Sequence, residues 1–276
     1  MAQEFTINKY DVHWHLTEMP FQNTPDPRFL YLSSQHEEAL ARMLYTVQGR
    51  KGAGLITGVF GCGKTILVQE LIDRLSHANY KTAVINSPQL EPVELLRAIV
   101  RNLKAIDLPQ KKTELSADYL LELLGKILQN NIHNGQETVV IIDEAHVIKD
   151  ELVFEQLRLL LNFQLRDRFM ITLLLFGQPE LKQLIEDNKP FDQRIAFKYY
   201  LEALNLDDTK KYIQHRLAVA GQQKQLFTDE AIPLIHKHSG GIPRLINNLC
   251  DLCLLTGALK KASTVDEETV RQAIAG

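Results

Sequence analysis

Cysteine is scarce: Cys62, Cys250 and Cys253 are the three among 276 residues. A chain of this length buries enough area to fold without a disulfide scaffold, and so few thiols agree with a reducing compartment. Excess charge of one sign is also missing, the formal net charge being -3. A global basic field for nucleic acid is therefore unsupported, leaving only a local patch for that role. No apolar run reaches the ~18 residues that span a bilayer, and the opening MAQEFTINKYDVHWH lacks the charged-then-apolar pattern of a secretory leader. A cytoplasmic protein without a membrane span is expected. There is no low-complexity tract and no internal repeat of roughly 20–50 residues. With 45% hydrophobic and 24% charged residues, the composition is that of an ordinary globular chain.

What is present is an alternation of strand and helix patterns. After an irregular stretch of 35 residues containing TPDPRFLYLSS, expected to lie as a strap on the core, HEEALARMLYTVQGR reads as a helix and GAGLIT as a buried strand. A glycine loop and the amphipathic helix TILVQELIDRLSHA follow. Further strands are expected at KTAVINS, ETVVIID, FMITLLLFG and RIAFKYYLEAL. Between them lie helices at EPVELLRAIVRNLK, with Pro92 near its first turn, at SADYLLELLGKILQNN, with Ser116 as N-cap, and at ELVFEQLRLLLNFQL. Strands separated by helices imply parallel pairing, and nearly unbroken apolar strands imply a sheet covered on both faces. From about Leu204 only helical patterns remain. The expected organisation is an α/β nucleotide-binding domain over 1–203, its first 35 residues the strap, and an all-helical domain over 204–276. Cys250 and Cys253 sit in the apolar-periodic LINNLCDLCLLTGAL and read as core thiols, since a zinc site needs a second ligand pair.

Two motifs carry chemistry. Gly58-Val59-Phe60-Gly61-Cys62-Gly63-Lys64-Thr65 fits GxxxxGK[ST] at every fixed position. Such a loop turns backbone N–H groups from Gly58 through Ile66 onto phosphate oxygens. Lys64 can reach the β and γ phosphates, and the Thr65 hydroxyl can hold Mg²⁺. The helix after it presents its positive end to the same anion. The second motif is VVIIDEAH, Val139 to His146, apolar residues running into two acids at a strand's C-terminal edge. Asp143 can bind Mg²⁺ or its water, and Glu144 can polarise an attacking water. His146 is open to a contact with nucleotide or polar neighbours, but reads first as a surface-loop histidine. Cys62 lies within the phosphate loop, so its alkylation is expected to block nucleotide binding and bound nucleotide to protect it.

Three further residues stay open on residue type alone. Gln178, just after the strand in LLLFGQPEL, is equally a γ-phosphate sensor or a loop-capping amide. Arg194 in FDQRI is a surface arginine or a group offered to a neighbouring subunit's site. Arg244 in GGIPRLIN occupies a helix's first turn, a poor place for a cation unless an anion is near, which favours a nucleotide contact.

Together these residues resemble an AAA+ ATPase of the ExeA/GspA type, the family of general secretion and pilus-biogenesis ATPases. TPDPRFLYLS, HEEALARMLY, the glycine loop, VVIIDEAH, LRLLLNF, GQPEL, QRI and GIPRLIN occur in the family's order along nearly the whole chain. The resemblance implies a P-loop AAA+ α/β domain with a helical lid, ATP and Mg²⁺ bound between subunits, and nucleotide-dependent ring or filament assembly. It also implies roles for Gln178 as sensor 1, Arg194 as trans-acting finger and Arg244 as sensor 2. Departures are Val59-Phe60-Gly61-Cys62, where the family often has Glu-Val-Gly-Thr, and His146, where it often has Gln. Neither removes a phosphate or Mg²⁺ ligand.

Two destinations for the ATP energy follow. The first is assembly of a secretion or pilus machine through protein partners. The alternative is a transposition regulator forming ATP-dependent filaments on duplex DNA and recruiting a transposase, because the secretion members continue into transmembrane and periplasmic parts that this sequence does not include. For that role Arg50 and Lys51, Lys111 and Lys112, and Arg166 and Arg168 are the candidate basic contacts, each equally readable as a solvated loop. A bare nucleotide-binding switch with negligible hydrolysis is a third possibility.

Overall fold

The computed structural model describes residues 9–24, 26–86, 88–103 and 116–275. They form two compact units. One comprises Ser34–Phe60 and Lys64–Leu201; the other comprises the described parts of Met1–Ser33 and Glu202–Gly276 together with Gly61–Gly63.

The first helix, α1 (Lys9–Trp14), belongs to the second of these, and the α/β unit starts at α2 (Ser34–Gln48). Its sheet is built from β1 (Ala53–Gly58), β2 (Tyr80–Ile85), β3 (Glu137–Ile142), β4 (Ile171–Gly177) and β5 (Ile195–Leu201), in the order β2-β3-β4-β1-β5. Every pairing is parallel. The crossovers carry α3 (Lys64–Ser76), α4 (Pro92–Asn102), α5 (Ala117–His133), α6 (Glu151–Leu160), and the short α7 (Glu180–Asp187) and α8 (Lys189–Asp192). The last two have no counterpart in the expected pattern.

Local chemistry sets the helix starts. The Ser116 side chain accepts from the Tyr119 amide at 3.2 Å ahead of α5, a cap that contributes about 1 kcal/mol, and Asp150 does the same for Leu152 at the start of α6. Pro92 opens α4, where its missing N–H costs nothing. β1, β3 and β4 hold apolar residues on both faces because both faces are covered. On one face Leu55, Val140, Ile142, Leu173 and Leu175 share a core with Leu96, Leu124 and Leu157 of α4, α5 and α6. On the other, Met43 of α2 reaches so near Gly54 that a methyl group there would meet its Cε at 3.0 Å. No helix among the described residues is long and apolar enough to cross a membrane.

The second unit is helical, as expected, with α9 (Leu206–Val219), α10 (Ala231–Ser239), α11 (Pro243–Leu259) and α12 (Glu267–Ala275). Its core includes Ile213, Leu217, Phe227, Ile235, Leu254 and Val270, and both Cys250 and Cys253 are buried in it. Burial raises both thiols, Cys253 to about 12. The N-terminal segment departs from expectation. Instead of a strap on the α/β domain, it supplies Tyr10, Trp14 and Phe21 to the core of the helical unit. The Trp14 indole donates to the Leu254 carbonyl at 2.8 Å. Buried Arg216 of α9 donates to the carbonyls of Pro20 and, at 2.8 Å, Gln22, and lies 4.8 Å from the Phe29 ring centroid. A buried guanidinium must have its donors met, and this segment's backbone supplies the acceptors.

Candidate functional site

In a parallel sheet, ligands meet the C-terminal edge of the strands. Here β4 lies between β3 and β1, with Leu175 in register with Ile142 and Gly177 in register with Thr57. Three adjacent strands therefore end together, and each passes straight into one of the expected motifs: β1 into the glycine loop, β3 into Asp143 and β4 into Gln178.

The loop's geometry suits an anion. Gly61 and Gly63 have φ of +83° and +103°, left-handed values that cost other residues dearly, and that alternation turns successive N–H groups inward. Lys64 is buried and donates through Nζ to the carbonyls of Gly58 and Val59, at 2.8 and 2.9 Å. Thr65 is solvent-facing, and Ile66 lies in the first turn of α3. The Thr65 hydroxyl donates to Asp143 Oδ2 at 2.9 Å. Asp143 is buried, and its Oδ1 accepts from the Glu144 amide at 2.9 Å. Two hard oxygen donors thus stand together at the mouth of a glycine loop, a set that suits Mg²⁺.

Glu144 adopts a left-handed backbone, φ 53°, which a glutamate rarely takes and which commonly marks functional positions. Its carboxylate lies 3.3 Å from His146 Nδ1. His146 is not the surface-loop residue expected. Its side chain is 15% exposed, and its Nε2 lies 2.9 Å from the Gln178 carboxamide nitrogen. Gly177 allows that proximity, since a methyl group there would meet the His146 backbone nitrogen at 3.1 Å. The fold brings Glu144, His146 and Gln178 into one chain of contacts.

Arg194 is placed elsewhere. Its carbonyl accepts from the Ala53 amide at the start of β1, at 3.2 Å, so it marks the opposite edge of the sheet from Gly58. Six strand residues separate the two levels, roughly 17–20 Å. Arg244 is the second residue of α11; in the helical unit its amide donates to the Gly61 carbonyl at 3.3 Å. Phe60 is exposed, whereas Cys62 is only 1% exposed. Burial of the Cys62 thiol slows its reaction with alkylating reagents. Among the basic candidates, Arg50 is ion-paired with Glu137 at 2.5 Å and Lys51 lies over the Tyr45 ring, while Lys111 and Lys112 fall outside the described residues.

Parallel strands in this order, with a glycine loop after β1 and an acidic pair after β3, define a P-loop nucleotide-binding fold. Comparison with known proteins agrees: a family model described as an AAA domain matches residues 47–185, half of the chain. The chain belongs to the AAA domain family. It is 37% identical over 249 residues to General secretion pathway protein A of Aeromonas hydrophila, a match covering 89% of this chain and 44% of that protein. The chain thus spans less than half the length of that relative. Among solved structures, the Aeropyrum pernix ORC2 protein in its ADPNP-ADP complexes superposes with a TM-score of 0.68 at 20% identity, over 94% of this chain and 71% of that one. Drosophila ORC bound to DNA superposes with a TM-score of 0.70 at 16% identity, over 99% of this chain and 67% of that one. At such identities the likeness is one of fold.

Proposed function

We propose that the chain hydrolyses ATP with Mg²⁺ at the Gly58–Thr65 loop, in a self-associated ring or filament. Turnover would drive assembly of a secretion- or pilus-type machine through protein partners on the cytoplasmic side. The observation that carries the chemistry is the hydrogen bond between Thr65 and Asp143, which unites the two motifs. Amides from Gly58 to Ile66 hold the phosphates. Lys64 exchanges its contacts with the Gly58 and Val59 carbonyls for β and γ oxygens. Thr65 and Asp143 hold Mg²⁺, which when bound neutralises phosphate charge. Glu144 orients the attacking water and takes up its proton, and Gln178 addresses the γ phosphate. Arg194, far from its own loop, is assigned to a neighbouring subunit's site, and Arg244 to sensing of bound nucleotide. The secretion assignment is supported by the similarity to General secretion pathway protein A, within the shared segment alone.

The alternative, a transposition regulator acting on duplex DNA, draws less support. Arg50 and Lys51 already have partners within the chain, and the net charge is slightly negative. One experiment addresses both readings: phosphate release with Mg²⁺ from wild type and Glu144→Gln, with and without duplex DNA, alongside electron microscopy with a slowly hydrolysed ATP analogue. Turnover that Glu144→Gln abolishes, rings or filaments formed on the analogue alone, and indifference to DNA support the first reading. DNA-threaded filaments transfer the assignment to the second. Turnover unchanged in Glu144→Gln defeats the hydrolase mechanism.

A further inference from the structure

The contacts of His146 go beyond what the nucleotide motifs require. Its Nδ1 lies 3.3 Å from a Glu144 carboxylate oxygen and 3.3 Å from the Gln178 main-chain nitrogen, while Nε2 lies 2.9 Å from the Gln178 carboxamide nitrogen. One neutral imidazole cannot satisfy all three at once. A carboxylate only accepts and a main-chain N–H only donates, so Nδ1 serves one or the other according to whether it carries the proton. With the proton on Nδ1, the ring donates to Glu144, and Nε2 accepts from the Gln178 –NH₂. With the proton on Nε2, the ring donates to the Gln178 carboxamide oxygen, Nδ1 accepts from the Gln178 amide, and Glu144 is released. Moving between the two states returns one proton to water and takes one up, and turns the Gln178 carboxamide by half a revolution.

We propose that His146 is a positioning residue that transmits the orientation of the Gln178 carboxamide to Glu144. The inference rests on the ATPase reading above. When the Gln178 –NH₂ turns to donate to a γ-phosphate oxygen, its carbonyl oxygen turns toward Nε2, which must then carry the proton. Nδ1 lets go of the carboxylate, and Glu144 is free to meet the attacking water. Without γ phosphate the carboxylate stays held against the imidazole. Gly177 and the in-register ends of β3 and β4 keep the three side chains at these distances.

The test is a double-mutant cycle on ATP turnover with His146→Ala and Gln178→Ala, accompanied by fluorescent-nucleotide affinity and thermal melting. Each single change is expected to lower kcat by about 10- to 100-fold with KM and nucleotide affinity nearly constant, as misorientation of one group does. The double variant is expected to be no slower than the worse single one. His146→Gln, whose amide offers both a donor and an acceptor, should recover much of the rate, and the shorter His146→Asn should not. Wild-type kcat in His146→Ala, or multiplying losses in the double variant, overturns the proposal; if the alanine variant does not fold, equal rates for His146→Gln and His146→Asn overturn it instead. Glu144→Gln separates the two layers. If it retains turnover, the ATPase mechanism itself fails; if it loses turnover while His146→Ala stays normal, only the coupling fails.

Discussion

The Thr65 hydroxyl donates to the Asp143 carboxylate at 2.9 Å across 78 residues of sequence. One residue opens the helix after β1 and the other follows β3, so the bond exists only when the sheet is assembled. It ties the competence of the site to folding of the whole α/β unit.

Removing one of these oxygens should separate binding from turnover. Thr65→Ala is expected to lower phosphate release by about 100-fold or more, the usual cost of deleting one preorganised electrostatic partner. A chelator should do the same to wild type. Fluorescent-nucleotide titration over a range of Mg²⁺ checks this, and hydrolysis persisting in excess chelator would contradict it.

Cys62 yields a prediction about the rate of its labelling. All three cysteines are buried, so a thiol reagent should react slowly with native protein, and rapidly and completely in denaturant. Counting labelled thiols by intact mass against time distinguishes the cases. Fast labelling of Cys62 in native protein would mean that the loop opens readily.

Stability should depend on pH through His215. Burial is the main cause that lowers its folded pKa below the usual value near 6.5. The native state then binds fewer protons than the unfolded chain. Its contribution is complete above about pH 6.5 and is lost as pH falls through the lowered folded value. Denaturant midpoints for wild type and His215→Asn at pH 7.5 and at mildly acidic pH should show a steeper acid loss in wild type.

Arg216 fastens the N-terminal segment to the helical unit. Arg216→Ala leaves the Pro20 and Gln22 carbonyls without their charged donor and removes packing from Phe29, a loss of about 2–4 kcal/mol. Limited proteolysis should then cut near residues 15–24 while the α/β unit resists. An unchanged digestion pattern would show that the indole of Trp14 suffices to hold the segment.

The glycine loop, the acidic pair and the strand-helix alternation were legible because each is written in consecutive residues: spacing for the loop, apolar runs for β1, β3 and β4. The contacts of His146 were not, because they depend on the register of β3 against β4, which places Gln178 beside a residue 32 positions away. The address of the N-terminal segment was hidden for the same kind of reason. A buried arginine in α9 reaches back 194 residues to Gln22, and nothing local to either stretch announces it. The short helices α7 and α8 escaped because eight and four residues carry too few turns for a period to register.

Glu144 follows β3 with a backbone that asparagine or glycine would adopt more readily. Under the proposed mechanism, backbone preference and chemistry favour different amino acids there. Glu144→Asn should melt at the same temperature as wild type or higher while hydrolysing almost no ATP. Selection for thermal resistance alone would thus drift toward inactive protein at this position, so any laboratory evolution of this chain needs turnover in its screen.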